Sequence, residues 1–157
     1  MVKIHDSLEL YVGTKEEYAQ ADAADMSIVC AMNAGSGVSF RSVFGQPSPE
    51  DPNYLYGFAD NKIFLNLVDA RDPKYIPKPL IRAAMDFIDH ELEKGNGVFI
   101  YCSLGESRSP SIALMYLMES GLLPKDGYGV IEFIETYPKY NPGEGMSKYI
   151  YENYLKK

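Results

Sequence analysis

The sequence has few of the residues from which disulfide frameworks and metal sites are built. Its two cysteines, Cys30 and Cys102, lie far apart. That is no disulfide scaffold, and a reducing, cytoplasmic setting is the expectation. It has two histidines, His5 and His90, with no ligand cluster around either. A zinc site and a Cys/His hydrolase are both unattractive on that basis. No apolar run reaches membrane-spanning length, and the opening Met1-Val2-Lys3-Ile4-His5-Asp6 lacks the apolar stretch of a signal peptide. Lys and Arg number 15 against 22 Asp and Glu, a net charge of −7. This balance argues against a nucleic-acid or anionic-membrane partner. Repeats, low-complexity tracts and signs of a second domain are missing too, so residues 1–157 read as one domain, expected to be a monomer. What remains is globular: 46% hydrophobic and 24% charged residues, in a chain long enough to bury a core.

Leu8-Glu9-Leu10-Tyr11-Val12 alternates apolar and polar residues and stops at Gly13, as a half-buried strand would. Thr14 with Glu17 three residues on is a capping-box start for a short helix. Residues 27–32 and 63–68 read as buried strands, the second ending at Asp69. Residues 33–60, with four glycines and three prolines, read as a long loop, a feature usually functional or mobile in compact domains. Leu80, Ile81, Ala84, Phe87, Ile88 and Leu92 share one face of a helix over 79–94, closed by Gly95. Residues 98–101 form a short continuous strand. Ser109 and Pro110 read as the N-cap and first residue of a buried helix that runs to Ser120 and ends at Gly121. Two amphipathic helices follow, over 127–137 and 146–155. The expected fold is α/β, a mostly parallel or mixed sheet of four to five strands with helices on both faces.

The segment Tyr101-Cys102-Ser103-Leu104-Gly105-Glu106-Ser107-Arg108-Ser109-Pro110 carries the chemistry. Cysteine and arginine stand six positions apart between the strand and the buried helix. In open α/β sheets ligands bind beyond the carboxyl ends of the strands. There the backbone N–H groups of residues 103–108 can turn inward as an anion nest, and the helix dipole adds its positive end. The same fields would hold a cysteine as thiolate. Arg108 offers a planar fork to two phosphoryl oxygens. A match of Cys-x2-Gly-x2-Arg-[Ser/Thr] arises in roughly one shuffled chain of this composition in a few thousand, so accident is a poor account of it.

On these residues the sequence resembles the cysteine-dependent protein phosphatases of the compact dual-specificity type. The resemblance extends to the opening strand and helix, to Leu65-x-Leu67-x-Asp69, to the helix over 80–94 and to Tyr137-Pro138-x-Tyr140-Asn141-Pro142. It implies that Cys102 is a nucleophile forming a phosphocysteine. Ser103, Leu104, Gly105, Glu106, Ser107 and Arg108 would bind the phosphate, and Ser109 would donate a hydrogen bond to the thiolate. An aspartate would act as general acid and then base, with no metal or cofactor. Asp69, 33 residues before Cys102 at a strand end, is the first choice, and Asp72 beside Pro73 is the rival. The implied substrate is a phosphorylated protein or a small phosphoester. Two departures stand out: the family usually has histidine before the cysteine, where this chain has Tyr101, and Glu106 puts a carboxylate into an anion-binding loop. If that side chain faces outward its cost is small; if inward, it opposes phosphate or favours a substrate with a nearby cation.

Several residues carry two readings. Ser109 fits a plain helix cap as well as a thiolate partner. Cys30 fits the core, with a redox partnership to Cys102 as the alternative. Phe40, Phe44, Tyr54, Tyr56 and Phe58 fit either packing or the entrance of the site, and Arg41 either solvent or an accessory anion contact. A binding module that recognises phosphorylated partners without turnover competes with the phosphatase reading. A sulfur-transfer or arsenate-reducing enzyme with the same loop is a third reading, disfavoured by Asp69 and by the single reactive-looking cysteine.

Overall fold

A computed structural model describes residues 1–156. Six strands form one sheet: β1 (Val2–Lys3), β2 (Leu10–Thr14), β3 (Ser27–Cys30), β4 (Tyr56–Ala59), β5 (Lys62–Leu65) and β6 (Val98–Cys102), in the order β1-β2-β6-β3-β5-β4. β2, β6, β3 and β5 are mutually parallel, while β1 and β4 close the edges antiparallel. β3 and β6 are buried along their whole length, which is why they read as unbroken apolar runs rather than alternating ones. The helices are α1 (Tyr18–Ala23), α2 (Phe40–Phe44), α3 (Lys78–Glu93), α4 (Arg108–Glu119), α5 (Gly127–Thr136) and α6 (Glu144–Ile150), the last extended by a π-helical turn over Tyr151–Leu155.

The sheet's pleat sorts the side chains at the end of β6. Tyr101 stacks on Phe99, ring centroids 5.8 Å apart, and meets Tyr18 of α1 edge-on at 5.5 Å. Cys102 must point to the other face, where α4 begins. Helices therefore cover both faces, as expected. Gly13 faces Tyr101 across β2 and β6, and a Cβ there would lie 3.0 Å from Phe99 Cε1 and 2.2 Å from Glu17 Oε1. β2 thus starts at Leu10 rather than Leu8 and runs through this glycine to Thr14, one residue beyond the expected stop. Glu17 Oε1 then accepts the Thr14 N–H at 3.0 Å, the anticipated capping contact.

Six strands replace the expected four to five because both edge strands were missed. β1 has only two residues, too few for a pattern. β4 lies inside the stretch read as a loop, and so does α2. That helix is capped by Ser39, whose Oγ accepts from Ser42 N at 3.2 Å while Ser42 Oγ accepts from Ser39 N at 2.9 Å. Serine here performs the reciprocal bonding that Glu or Gln more often supplies. Phe44 stacks on Phe40 at 5.3 Å and lies over Gly57, where a Cβ would come within 2.4 Å of its ring. A glycine that looks like loop punctuation is a packing site within a strand. β5 ends at Leu65, short of the expected 68, and α6 starts at Glu144 rather than 146.

Candidate active site

β6 ends at Cys102, which is 3% exposed. The chain then bends through 103–107 and enters α4 at Arg108, with Ser107 rather than Ser109 as N-cap. The expected cap was two residues late. Pro110 is the third helical residue, a position whose N–H has no intrahelical partner and so tolerates proline. The shift frees the Ser109 side chain. Its Oγ lies 3.1 Å from Cys102 Sγ and 3.3 Å from Gly13 O, and its backbone N–H donates to Cys102 Sγ at 3.4 Å. Ser109 is wholly buried, so these groups meet without competing water.

Gly105 makes the tight bend of the loop possible. Its φ is +68°, and a Cβ would lie 3.0 Å from Gly13 O and 3.1 Å from Tyr137 Oη, so a side chain is excluded by both strain and space. Tyr137 donates its hydroxyl to Gly105 O at 2.6 Å, and Asn141 N–H donates to Glu106 O at 2.8 Å. The loop is thus braced from the 137–143 segment. Burial, with the negative charges of Cys102 and Glu106 nearby, pushes the Tyr137 phenol up to about 12, so it remains a donor at any ordinary pH.

Arg108 donates through Nη1 to Asn33 Oδ1 at 3.2 Å and to Leu67 O at 3.0 Å. Both bonds use one corner of the guanidinium, which leaves the Nε–Nη2 edge for a ligand. Asp69 stands two residues after Leu67, and Ser107 Oγ approaches its Oδ1 at 3.5 Å while accepting from Gly143 N at 2.8 Å. A Cβ on Gly143 would lie 2.9 Å from Asp69 Oδ1, and one on Gly145 2.1 Å from Ala70 O. These two glycines admit the aspartate loop. Asp72 is otherwise engaged: its Oδ1 accepts from Lys74 N at 2.9 Å and caps the 3-10 turn Pro73–Tyr75.

Asp69, Cys102, Ser103, Leu104, Glu106, Ser107, Arg108, Asn141, Pro142 and Gly143 line a cavity of about 320 Å³. Of the expected site residues only Gly105 and Ser109 are outside this wall, Ser109 being in contact with Cys102 Sγ, while the rival Asp72 lies beside another hollow. Hollows of about 440 and 610 Å³ occur beside Arg82 and Tyr154 and beside Lys74 and Tyr149, but neither contains a thiol, so size does not mark the site. Phe40, Phe44, Tyr56 and Phe58 pack on one another or on the sheet, neither they nor Tyr54 line this cavity, and Arg41 is exposed on α2. Asn33, Tyr137 and Gly143 were not foreseen as site residues. Asn33 carries no local signal, since only the sheet order brings it to Arg108. Among the described residues, no three His, Cys, Asp or Glu side chains cluster as metal ligands, and no helix is long and apolar enough to cross a membrane.

The family model of the dual specificity phosphatase catalytic domain matches residues 10–146. The chain belongs to this family. A Dictyostelium discoideum protein named a probable dual specificity protein phosphatase is 25% identical over 148 residues, 92% of this chain and 60% of its own length. Human dual specificity protein phosphatase 5 is 51% identical over 37 residues, 24% of this chain and 10% of that protein. The chain thus spans 60% or less of these dual specificity relatives. Among solved structures, DUSP15 matches with a TM-score of 0.66 at 18% identity, covering 97% of this chain and 85% of that one. Human DUSP28 matches with a TM-score of 0.63 at 18% identity, covering 98% and 91%. Identities this low speak for a shared dual specificity phosphatase fold and no further.

Proposed function

We propose that the chain is an active, metal-independent phosphomonoester hydrolase that works through a phosphocysteine, with phosphorylated protein as its substrate class. The observation that carries this reading is the setting of Cys102. Its sulfur has a hydroxyl at 3.1 Å and a backbone N–H at 3.4 Å, at the N-terminus of a buried helix. Each of these favours a thiolate. In the neutral state the thiol can donate to Ser109 Oγ while that hydroxyl donates to Gly13 O. Once the sulfur is anionic, the hydroxyl turns its proton to sulfur.

In the first step the Cys102 thiolate attacks phosphorus. The P–O bond to the substrate breaks, and Asp69 gives its proton to the departing oxygen. Arg108 presents its Nε–Nη2 edge to two of the equatorial oxygens, and the N–H groups of the loop hold the charge that is developing. In the second step Asp69 takes a proton from water, the water oxygen bonds to phosphorus and the S–P bond breaks. The electron pair returns to Cys102, where Ser109 stabilises it. Hydrolysis of an aryl phosphate in EDTA, measured beside Cys102→Ser, tests the proposal. Activity that survives EDTA and disappears in the variant is expected; absence of turnover in the native protein would leave the non-catalytic binding reading. Glu106 in the pocket wall is the observation that favours this second reading, because it opposes the dianion that catalysis needs.

A further inference from the structure

Glu106 is the one carboxylate of the pocket wall for which the proposed reaction has no use. It is half-buried, and its carboxylate makes no hydrogen bond or ion pair with another described residue. Its backbone cannot easily move it away, because the carbonyls of Gly105 and Glu106 are held by Tyr137 and Asn141. Among the residues lining the cavity Arg108 is the only cation, against Asp69 and Glu106. A phosphate dianion and a thiolate would add to that negative charge. Asp69 must hold a proton to act as an acid, so it does not contribute; Glu106 does. The deficit is relieved if the substrate brings a cation of its own. Leu104, 64% exposed, and Pro142 form an apolar rim at the same place. The aliphatic stem of a lysine or arginine can lie on such a rim while its charged end reaches a carboxylate.

We propose that Glu106 is a specificity residue, selecting phosphorylated polypeptides with Lys or Arg beside the phosphorylated residue and discriminating against acidic or multiply phosphorylated ones. This rests on the reading of the cavity as a phosphate pocket. An uncompensated carboxylate costs little when the neighbour is cationic and much when it is anionic, so the effect appears as a ratio between substrates. The charge is partly solvated, and the ratio should shrink with added salt.

The test uses three phosphotyrosine peptides identical except for Lys, Gln or Glu next to the phosphotyrosine. kcat/KM is measured for the native protein, Glu106→Gln and Glu106→Lys. The native protein should prefer the Lys peptide over the Glu peptide by about tenfold, near 1.4 kcal/mol. The ratio should approach one in Glu106→Gln and invert in Glu106→Lys. The same ratios are read as binding, by fluorescence anisotropy, in a Cys102→Ser background. A binding preference that follows residue 106 while the native protein turns nothing over would sink the hydrolase reading and leave this one standing. A Lys/Glu ratio that is the same in native protein and Glu106→Gln, in both assays, would overturn the specificity role.

Discussion

Cys30 and Cys102 end adjacent parallel strands of one sheet, and both are buried. Cys30 pairs with Tyr101, the residue before Cys102, so the pleat sends the two thiols to opposite faces. On its side, Cys30 has backbone carbonyls as neighbours: Sγ donates to Met32 O at 3.6 Å and to Val38 O at 3.7 Å. Burial pushes this thiol up, beyond what its hydrogen bonds with Tyr101 and Met32 take back. On the other side Cys102 Sγ accepts from the Ser109 N–H and lies 3.1 Å from the Ser109 hydroxyl. Two cysteines one register step apart thus differ in their surroundings: burial holds the Cys30 thiol protonated, while the Ser109 N–H and hydroxyl can serve a Cys102 thiolate. The sheet between them also bars the direct redox pairing that their sequence positions allowed.

The comparison breaks most visibly under substitution of the two thiols. Cys102→Ser should lower turnover more than a hundredfold without altering the far-ultraviolet circular dichroism, while Cys30→Ser should retain activity within a few-fold. Comparable losses in the two variants would show that the faces are not chemically distinct. Next in size is the acid. Asp69→Asn should slow cleavage of alkyl phosphates by ~10²-fold or more and that of nitrophenyl phosphate far less, because a good leaving group needs little protonation. Asp72→Asn, whose amide Oδ1 can still accept from Lys74 N and keep the turn cap, should leave both substrates nearly unaffected.

Ser109→Ala removes the hydroxyl donor but keeps the N–H. A hydrogen bond to a charged group contributes ~1.5–3 kcal/mol, so the second chemical step should slow by at least about tenfold. Inactivation by iodoacetate separates the two thiols directly. In that assay the folded native protein should label at Cys102 alone, by peptide mapping, with Cys30 reacting only after denaturation. Equal labelling of both would refute the assignment of their surroundings. The smallest effect should come from Tyr101→Phe. Its hydroxyl donates to Val38 O at 2.7 Å, on the Cys30 face, so stability should fall by ~1 kcal/mol in a urea titration while kcat changes little.

How much of this was legible beforehand follows from where each contact originates. The 102–109 loop is contiguous, so its spacing in the sequence already groups Cys102, Arg108 and Ser109, which the structure brings together around one cavity. Asp69 was preferred over Asp72 from the sequence, as the end of a strand; β5 in fact stops at Leu65, and the structure adds that Asp69 lines the cavity while Asp72 caps a turn. Asn33 and Gly143 reach the site through strand order and chain reversal, which no local pattern encodes. Phe44 against Gly57 shows the same limit in the fold: a tertiary contact turns two loop-like residues into a helix and a strand. The position of the helix cap was misjudged because serine and proline suit several first-turn positions equally.

The brace from residues 137–145 has a consequence for the order in which the protein is made. A nascent chain that has emerged through residue 136 already contains Cys102, Arg108 and Asp69. It lacks the hydroxyl that holds Gly105, the amide that holds Glu106 and the glycines that admit the aspartate loop. Contacts so distant in sequence are expected to close late. The Cys102 loop and the Asp69 loop therefore gain these braces together, only after residues 137–145 have been made, and until then the loop around Cys102 lacks the contacts that shape it.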